Sequence, residues 1–247
     1  MDIQLEVLTV VFSAFFIAGI VKGVVGLGLP PLVLGIITAT MGLHAAMALV
    51  ALPALLTNLV QGLNGPYLKA LTTNHVVFFF TATTSVFLGS WVSTSIGGDI
   101  PSIILGAVLV AYAVSGLFKL RINLREAHEP IAGITAGTCN GILTGITGSS
   151  AVPGVFYLQS IGLNRDQLIQ SMGILFSLSA ITLAMTLYWR GYLNFNLGIL
   201  SILSLIPAFF GMAVGSAIRK RMPAAAFLPV FFISLLLLGV YIVVSKL

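Results

Sequence analysis

Lys22 stands directly before the run Gly23-Val24-Val25-Gly26-Leu27-Gly28-Leu29-Pro30-Pro31, inside an otherwise apolar stretch. A lysine surrounded by lipid is costly, so its default reading is a functional site unless it snorkels to the interface or caps the carbonyls of a helix end. Glycines such as Gly26 and Gly28 let a solute approach the main chain. A helix starting at Pro30 and Pro31 would aim partial positive charge at the break, which suits an anion. A second run, Gly141 to Pro153, has the same character and holds Thr144, Gly148, Ser149 and Ser150. Here Asn140 takes the place of Lys22 and can donate hydrogen bonds without charge. Ser149 and Ser150 read as N-cap residues for an arm containing Pro153. Asn58, in a nearby apolar element, completes the candidate anion-binding set: Lys22, Gly26, Gly28, Pro30, Asn58, Asn140, Thr144, Gly148, Ser149 and Ser150. Gln61, Gln170 and Ser177 read as interhelical hydrogen-bonding groups.

Other chemistry is poorly served. His44, His75 and His128 have no metal-ligand spacing. Asp2, Glu6, Asp99, Glu126, Glu129 and Asp166 all fall at termini, loops or helix ends, leaving no buried carboxylate as a proton relay. Gly26-Leu27-Gly28 follows no strand and is not a nucleotide fingerprint. Cys139 is the single cysteine and reads as a small core residue. The expectation is therefore a non-enzyme with no cofactor and no metal.

The surrounding elements must be membrane helices. Of 247 residues, 58% are hydrophobic and 7% charged, against roughly 25% charged in soluble domains. Basic residues are single or in short loop clusters such as Arg219-Lys220-Arg221, a membrane-loop pattern and not a nucleic-acid one. Uninterrupted apolar elements are expected over 44–63, 74–96, 101–120, 166–188, 195–218 and 223–245, with broken ones over 5–41 and 130–161. The first apolar run lacks a basic leader and a small-residue cleavage site, and reads as retained structure. Broken backbone cannot face lipid, so both breaks must be buried in protein or line a cavity.

The chain repeats itself. Ala18-Gly19 and Gly23 match Ala136-Gly137 and Gly141, and Gly42-Leu43-His44 matches Gly162-Leu163-Asn164. Phe87, Gly89 and Pro101 match Phe209, Gly211 and Pro223. If each broken segment enters and leaves on one side, Lys69, Lys119, Arg121, Arg125, Arg165, Arg219, Lys220 and Arg221 share a face, with Arg190 and Lys246 opposite. That split fits the positive-inside rule better than eight simple crossings. The expected fold is an all-α polytopic membrane protein of two inverted repeats, each a broken-helix hairpin plus about three transmembrane helices. The repeats would span 1–122 and 130–247, joined by a cytoplasmic linker at 119–130, with both termini outside the cytoplasm. The stripe Gly133, Gly137, Gly141, Gly145 and the pair Gly211, Gly215 read as close-packing surfaces.

The Ala18-Gly19 to Pro31 break, the Gly42 to Asn58 stretch with Pro53, the Gly89 to Pro101 spacing and their second-half copies resemble the TauE/SafE family. These are sulfite/organosulfonate exporters, also described as the toluene sulfonate uptake permease family. The chain departs from symmetry at Pro53, matched by Gly173, and at Lys22, matched by Asn140. The resemblance implies an inner-membrane permease for small sulfur-containing anions such as sulfite, thiosulfate or sulfonates. Alternating access around a midplane site is the expected mechanism. An anion channel or uniporter in the same scaffold is the alternative, with a membrane-embedded enzyme or assembly scaffold behind it. Which anion is carried, its direction, a proton or sodium coupling ion and the oligomeric state stay open.

Overall fold

The computed structural model describes residues 5–119, 124, 128–221 and 227–247. Most of the expected linker, with Arg121, Arg125 and Glu126, lies outside the described residues, as do Asp2 and Pro223. The described residues form helices joined by short turns, with seven helical spans long and apolar enough to cross a membrane.

The first long helix, α1 (Leu5–Val25), stops at Gly26 and Gly28, and α2 (Leu29–Met41) returns with Pro30 and Pro31 in its first turn. Then come α3 (Leu43–Leu63), a short α4 (Leu68–Asn74), α5 (Val76–Ile96) and α6 (Ile100–Leu117). The pattern recurs: α7 (Glu129–Thr147), a short return α8 (Gly154–Ser160), α9 (Arg165–Trp189), α10 (Phe195–Leu203) with α11 (Leu205–Arg219), and α12 (Leu228–Lys246). The expected element at 74–96 is thus α5 alone, and that at 195–218 turns at Ser204. Pro229 sits in the first turn of α12 as Pro101 does in α6. The span-length rule puts α1 at about 31 Å and α2 at about 20 Å, a long arm and a short one.

Neither break begins where glycine density suggests. The first helix continues through Gly23, and α7 continues through Gly141 and Gly145 to Thr147. The reason is packing, which overrides a weak helix propensity. A Cβ on Gly141 would meet the Ala82 carbonyl and Ser85, and one on Gly145 the Val86 carbonyl and Gly89 of α5. On the other side of the bundle, Gly19 and Gly23 of α1 lie against Ala208, Met212 and Gly215 of α11 in the same manner. Small residues let membrane helices approach closely where no hydrophobic effect drives them together. Both pairs run parallel: α1 with α11, and α7 with α5. Gly62 against Gly173 joins α3 to α9, and Gly106 against Gly239 joins α6 to α12.

Contacts sort the loops into two ends. At one, His44 stacks on Tyr192 with centroids 4.0 Å apart, Arg190 Nη1 donates to Thr94 Oγ1 at 2.9 Å, and Lys246 pairs with Asp99 at 2.9 Å. At the other, His75 meets Glu129 at 3.2 Å and the Leu124 N–H donates to the Ser160 carbonyl at 3.2 Å. Burial holds the His75 imidazole below its ordinary pKa, against the opposing pull of Glu129. Gln170 belongs to this second end and uses its whole carboxamide. Its oxygen accepts from the Tyr67 N–H at 3.1 Å, and its NH2 donates to the Gly62 and Gly65 carbonyls at 3.0 and 3.1 Å. Gln61 Nε2 donates to the Ile169 carbonyl at 2.8 Å. The interhelical role read for both glutamines is what the structure contains.

Pro53 lies inside α3 and gives up one helical N–H, which leaves the Leu49 carbonyl without its usual donor. The buried Ser201 hydroxyl of α10 supplies that donor at 2.8 Å. A helix broken in its ladder is thus made whole from a neighbour, as a buried carbonyl inside a membrane bundle requires.

Candidate functional site

Both breaks converge on one region between α3 and α9. Gly28 precedes α2 at φ 106, and Gly148 follows α7 at φ 76, a left-handed turn favourable only to glycine. A Cβ on Gly28 would also strike the Phe231 ring at 2.7 Å. Gly148 closes its helix by donating to the Thr144 carbonyl at 2.8 Å. Beyond it Ser149 and Ser150 belong to no helix, and α8 begins at Gly154.

Two small cavities, each of about 10 Å³ and so about one water in size, sit at this junction. One is lined by Pro30 from the first break, Gly148 and Ser150 from the second, Thr144, Asn58, and the α9 residues Phe176, Ser179, Ala180 and Leu183, with Val50, Ala51 and Ala54 of α3. The other is lined by Gly28, Pro30 and Pro31, by Ser149, Ser150 and Ala151, and by Leu27, Tyr112 and Phe176. Seven of the ten residues singled out in the sequence therefore line these spaces.

The other three do not line them. Lys22 is buried, 4% exposed, and is the one fully buried charged side chain among the described residues. Its ammonium donates to Asn58 Oδ1 and, at 3.1 Å, to Thr57 Oγ1. No carboxylate pairs with it among the described residues. Asn140 is fully buried, and its Oδ1 accepts from the Gly154 N–H at 3.0 Å. Gly26 has open space around it.

One expectation needs correcting. Ser149 and Ser150 do not cap the second arm: α8 starts at Gly154 with Pro153 in the N-cap position and no side-chain cap. The buried Gly154 N–H at its start is satisfied by Asn140 from the preceding helix instead. Ser149 donates its N–H to Thr147 Oγ1 at 3.1 Å, which ties it into the turn after α7. Its hydroxyl has no partner among the described residues.

Unpartnered polar atoms cluster here. Asn58 Nδ2, Asn140 Nδ2, Ser149 Oγ and Ser179 Oγ are buried and have no protein partner among the described residues. Native structures rarely leave such groups unmet. All four can donate, so the junction offers neutral N–H and O–H donors, with the Lys22 ammonium bonded to Asn58. Thr144 is less available, since its hydroxyl donates to the Asn140 carbonyl at 2.7 Å.

Ser179, Phe176, Tyr112 and Leu27 were missed in the sequence. For Ser179 a signal existed: carrying the repeat offset from Asn58 leads to its immediate neighbourhood. Tyr112 and Leu27 also line a much larger cavity of about 630 Å³, with Lys119, Arg165, Gln159 and Ser115 among its polar residues. This vestibule reaches the His75 end of the bundle. Tyr112 packs against Phe156, Phe231 and Phe232, so an aromatic cluster stands between the vestibule and the junction. Toward the Tyr192 end, Val50 and Leu183 close the junction, with buried Leu49, Leu187 and Leu200 in the core around them.

Comparison with known families matches residues 11–242 to the family described as Sulfite exporter TauE/SafE. No curated protein and no solved structure matches the chain. The match covers nearly the whole helical bundle, both breaks included, and the family consists of membrane transporters and not enzymes. The chain belongs to the sulfite exporter TauE/SafE family.

Proposed function

We propose that the chain carries small sulfur-containing anions, such as sulfite, thiosulfate or organosulfonates, across the inner membrane by alternating access. The observation that carries this reading is the meeting of both broken segments at one buried junction, where four unpartnered donors gather in front of a buried lysine. Anion binding by polar groups at helix breaks suits a midplane transporter site. A wide vestibule on one side and a closed apolar layer on the other fit a conformer open toward the His75 end.

The two-repeat reading, with units 1–122 and 130–247, has support from helix direction. Helix α1 runs parallel to α11 and α7 parallel to α5, so the two long arms enter from opposite ends of the bundle. The cytoplasmic face is assigned to the His75 end, where Lys69, Lys119, Arg165, Arg219, Lys220 and Arg221 gather among the described residues, against Arg190 and Lys246 opposite. Both termini then lie outside the cytoplasm. Cys139 is exposed and not in the core as expected, so it is replaced first: on a Cys139→Ser background, a membrane-impermeant thiol reagent applied to intact cells should label Asp99→Cys and spare Lys220→Cys. The reverse pattern refutes the assignment.

The function is tested with purified protein in proteoliposomes, using labelled sulfite, thiosulfate and a sulfonate with and without a pH or sodium gradient. Gradient-driven accumulation of one of them is the expected result. Flux that only dissipates its own gradient identifies the channel or uniporter, a reading favoured by the lack of a buried carboxylate among the described residues. No protein-dependent flux of any of the three anions rejects the proposal.

A further inference from the structure

We propose that Lys22 acts on the permeating anion through Asn58, as a positioning residue that turns the Asn58 NH2 into the cavity. This rests on reading the junction as the anion site, and adds that the solute is met there by a neutral donor and not by the ammonium.

The argument is one of donors and acceptors. An ammonium has three donors and no acceptor, so whatever faces Lys22 must offer an oxygen. Asn58 offers Oδ1, which fixes the rotation of its carboxamide and sends Nδ2 to the other side. Thr57 cannot compete for that oxygen, because its hydroxyl proton is committed to the Pro53 carbonyl at 2.7 Å, leaving its oxygen as a second acceptor for Lys22. Every bond in the chain from Lys22 therefore runs in one direction. At its far end Nδ2, on a side chain 1% exposed, has no partner among the described residues, while Asn58 forms part of the cavity wall. Across the same cavity, the hydroxyl of Ser179 is likewise unpartnered. Lys22 lines none of the three cavities described above. Reversing the carboxamide would set NH2 against ammonium and present an oxygen to the anion, so Lys22 excludes the arrangement that would repel the solute.

The test compares Lys22→Gln, Lys22→Met and Asn58→Asp with the unaltered protein. Binding of sulfite is read by titration, and the side-chain carboxamide resonances of Asn58 by NMR of 15N-asparagine-labelled protein in detergent. Glutamine can still donate one N–H to Asn58 Oδ1, so Lys22→Gln should hold sulfite affinity within about tenfold, whereas Lys22→Met should lose on the order of a hundredfold. Asn58→Asp should pair with Lys22, keep its melting temperature and lose binding, since it presents an acceptor. In the unaltered protein the Asn58 NH2 signals should be sharp and shift with sulfite, and in Lys22→Met they should broaden or move.

Equal losses in Lys22→Gln and Lys22→Met would show that the charge itself is the contact, and would overturn the proposal. So would an Asn58→Asp protein that binds sulfite normally. If Lys22→Met fails to fold, the contrast between Lys22→Gln and Asn58→Asp decides. Unaltered protein that ignores sulfite strikes at the anion-site reading. An Asn58 signal indifferent to Lys22→Gln and Lys22→Met strikes at the coupling, whatever sulfite does.

Discussion

Gly145→Ala is expected to lower the melting temperature of the purified protein by several degrees and to remove most anion flux. A Cβ at this position would fall against the Val86 carbonyl oxygen, the Ser90 nitrogen and the Gly89 carbonyl carbon, all of them backbone of α5. Side chains can rotate away from a clash; a packed helix cannot. Overfilling such a contact costs about 1–3 kcal/mol, and the gain from alanine's better helix propensity returns about 1 kcal/mol at most. The functional loss should exceed the stability loss. The last turn of α7 ends at Thr147 and Gly148, so a helix pushed off α5 carries the second break with it. Gly198→Ala is the matching control. Nothing lies within 4 Å of its Cβ position, so the same substitution should leave thermal unfolding and flux unchanged or slightly improved. Equal behaviour of the two variants would show that the α5–α7 contact does not set the position of the break.

That contrast also marks the limit of what the sequence discloses. The four-residue glycine stripe of α7 was legible as a packing surface because small residues on one helix face have few other uses in a membrane. The same glycines hid where the helix ends, since Gly141 and Gly145 resemble the breaker Gly148 until α5 is placed beside them. Spacing could nominate Lys22 and Asn58 separately but could not join them, because their bond spans 36 positions and depends on how α1 crosses α3. Nor could it distinguish Ser177 from Ser179. Ser177 bonds the Gly173 carbonyl of its own helix at 2.7 Å and not another helix as expected, while Ser179 does not bond its own helix and faces the junction. Residue type is the same in both, and only three-dimensional surroundings separate them. The capping expectation at Ser149 and Ser150 failed for a related reason. The N–H at the start of α8 is served by Asn140, 14 positions earlier, and no local pattern of residues announces such a donor–acceptor pair.

Asn140→Asp is expected to fold like the unaltered protein and yet to transport poorly near neutral pH. The carboxylate can accept the Gly154 N–H as the amide oxygen does, with the added strength of a charged acceptor. Its second oxygen replaces the unpartnered Nδ2, however, and places negative charge beside the junction. Two like charges on the order of 8 Å apart in an effective dielectric of about 20 repel by about 2 kcal/mol, roughly a thirtyfold loss of affinity. Protonation removes that charge, so the defect should fade as pH falls and return as pH rises. A sulfonate is the substrate to use, since its own charge is fixed across that range. Asn140→Ala separates structure from charge: it leaves the Gly154 N–H unpaired, which costs about 1–3 kcal/mol, but adds no repulsion, so its lowered melting temperature should come with no new pH dependence. If Asn140→Asp carried the sulfonate as well at neutral pH as the unaltered protein, the anion would not pass near the second break. Ser149 and Asn140 would then be structural, and recognition would fall to the first break, Asn58 and Ser179.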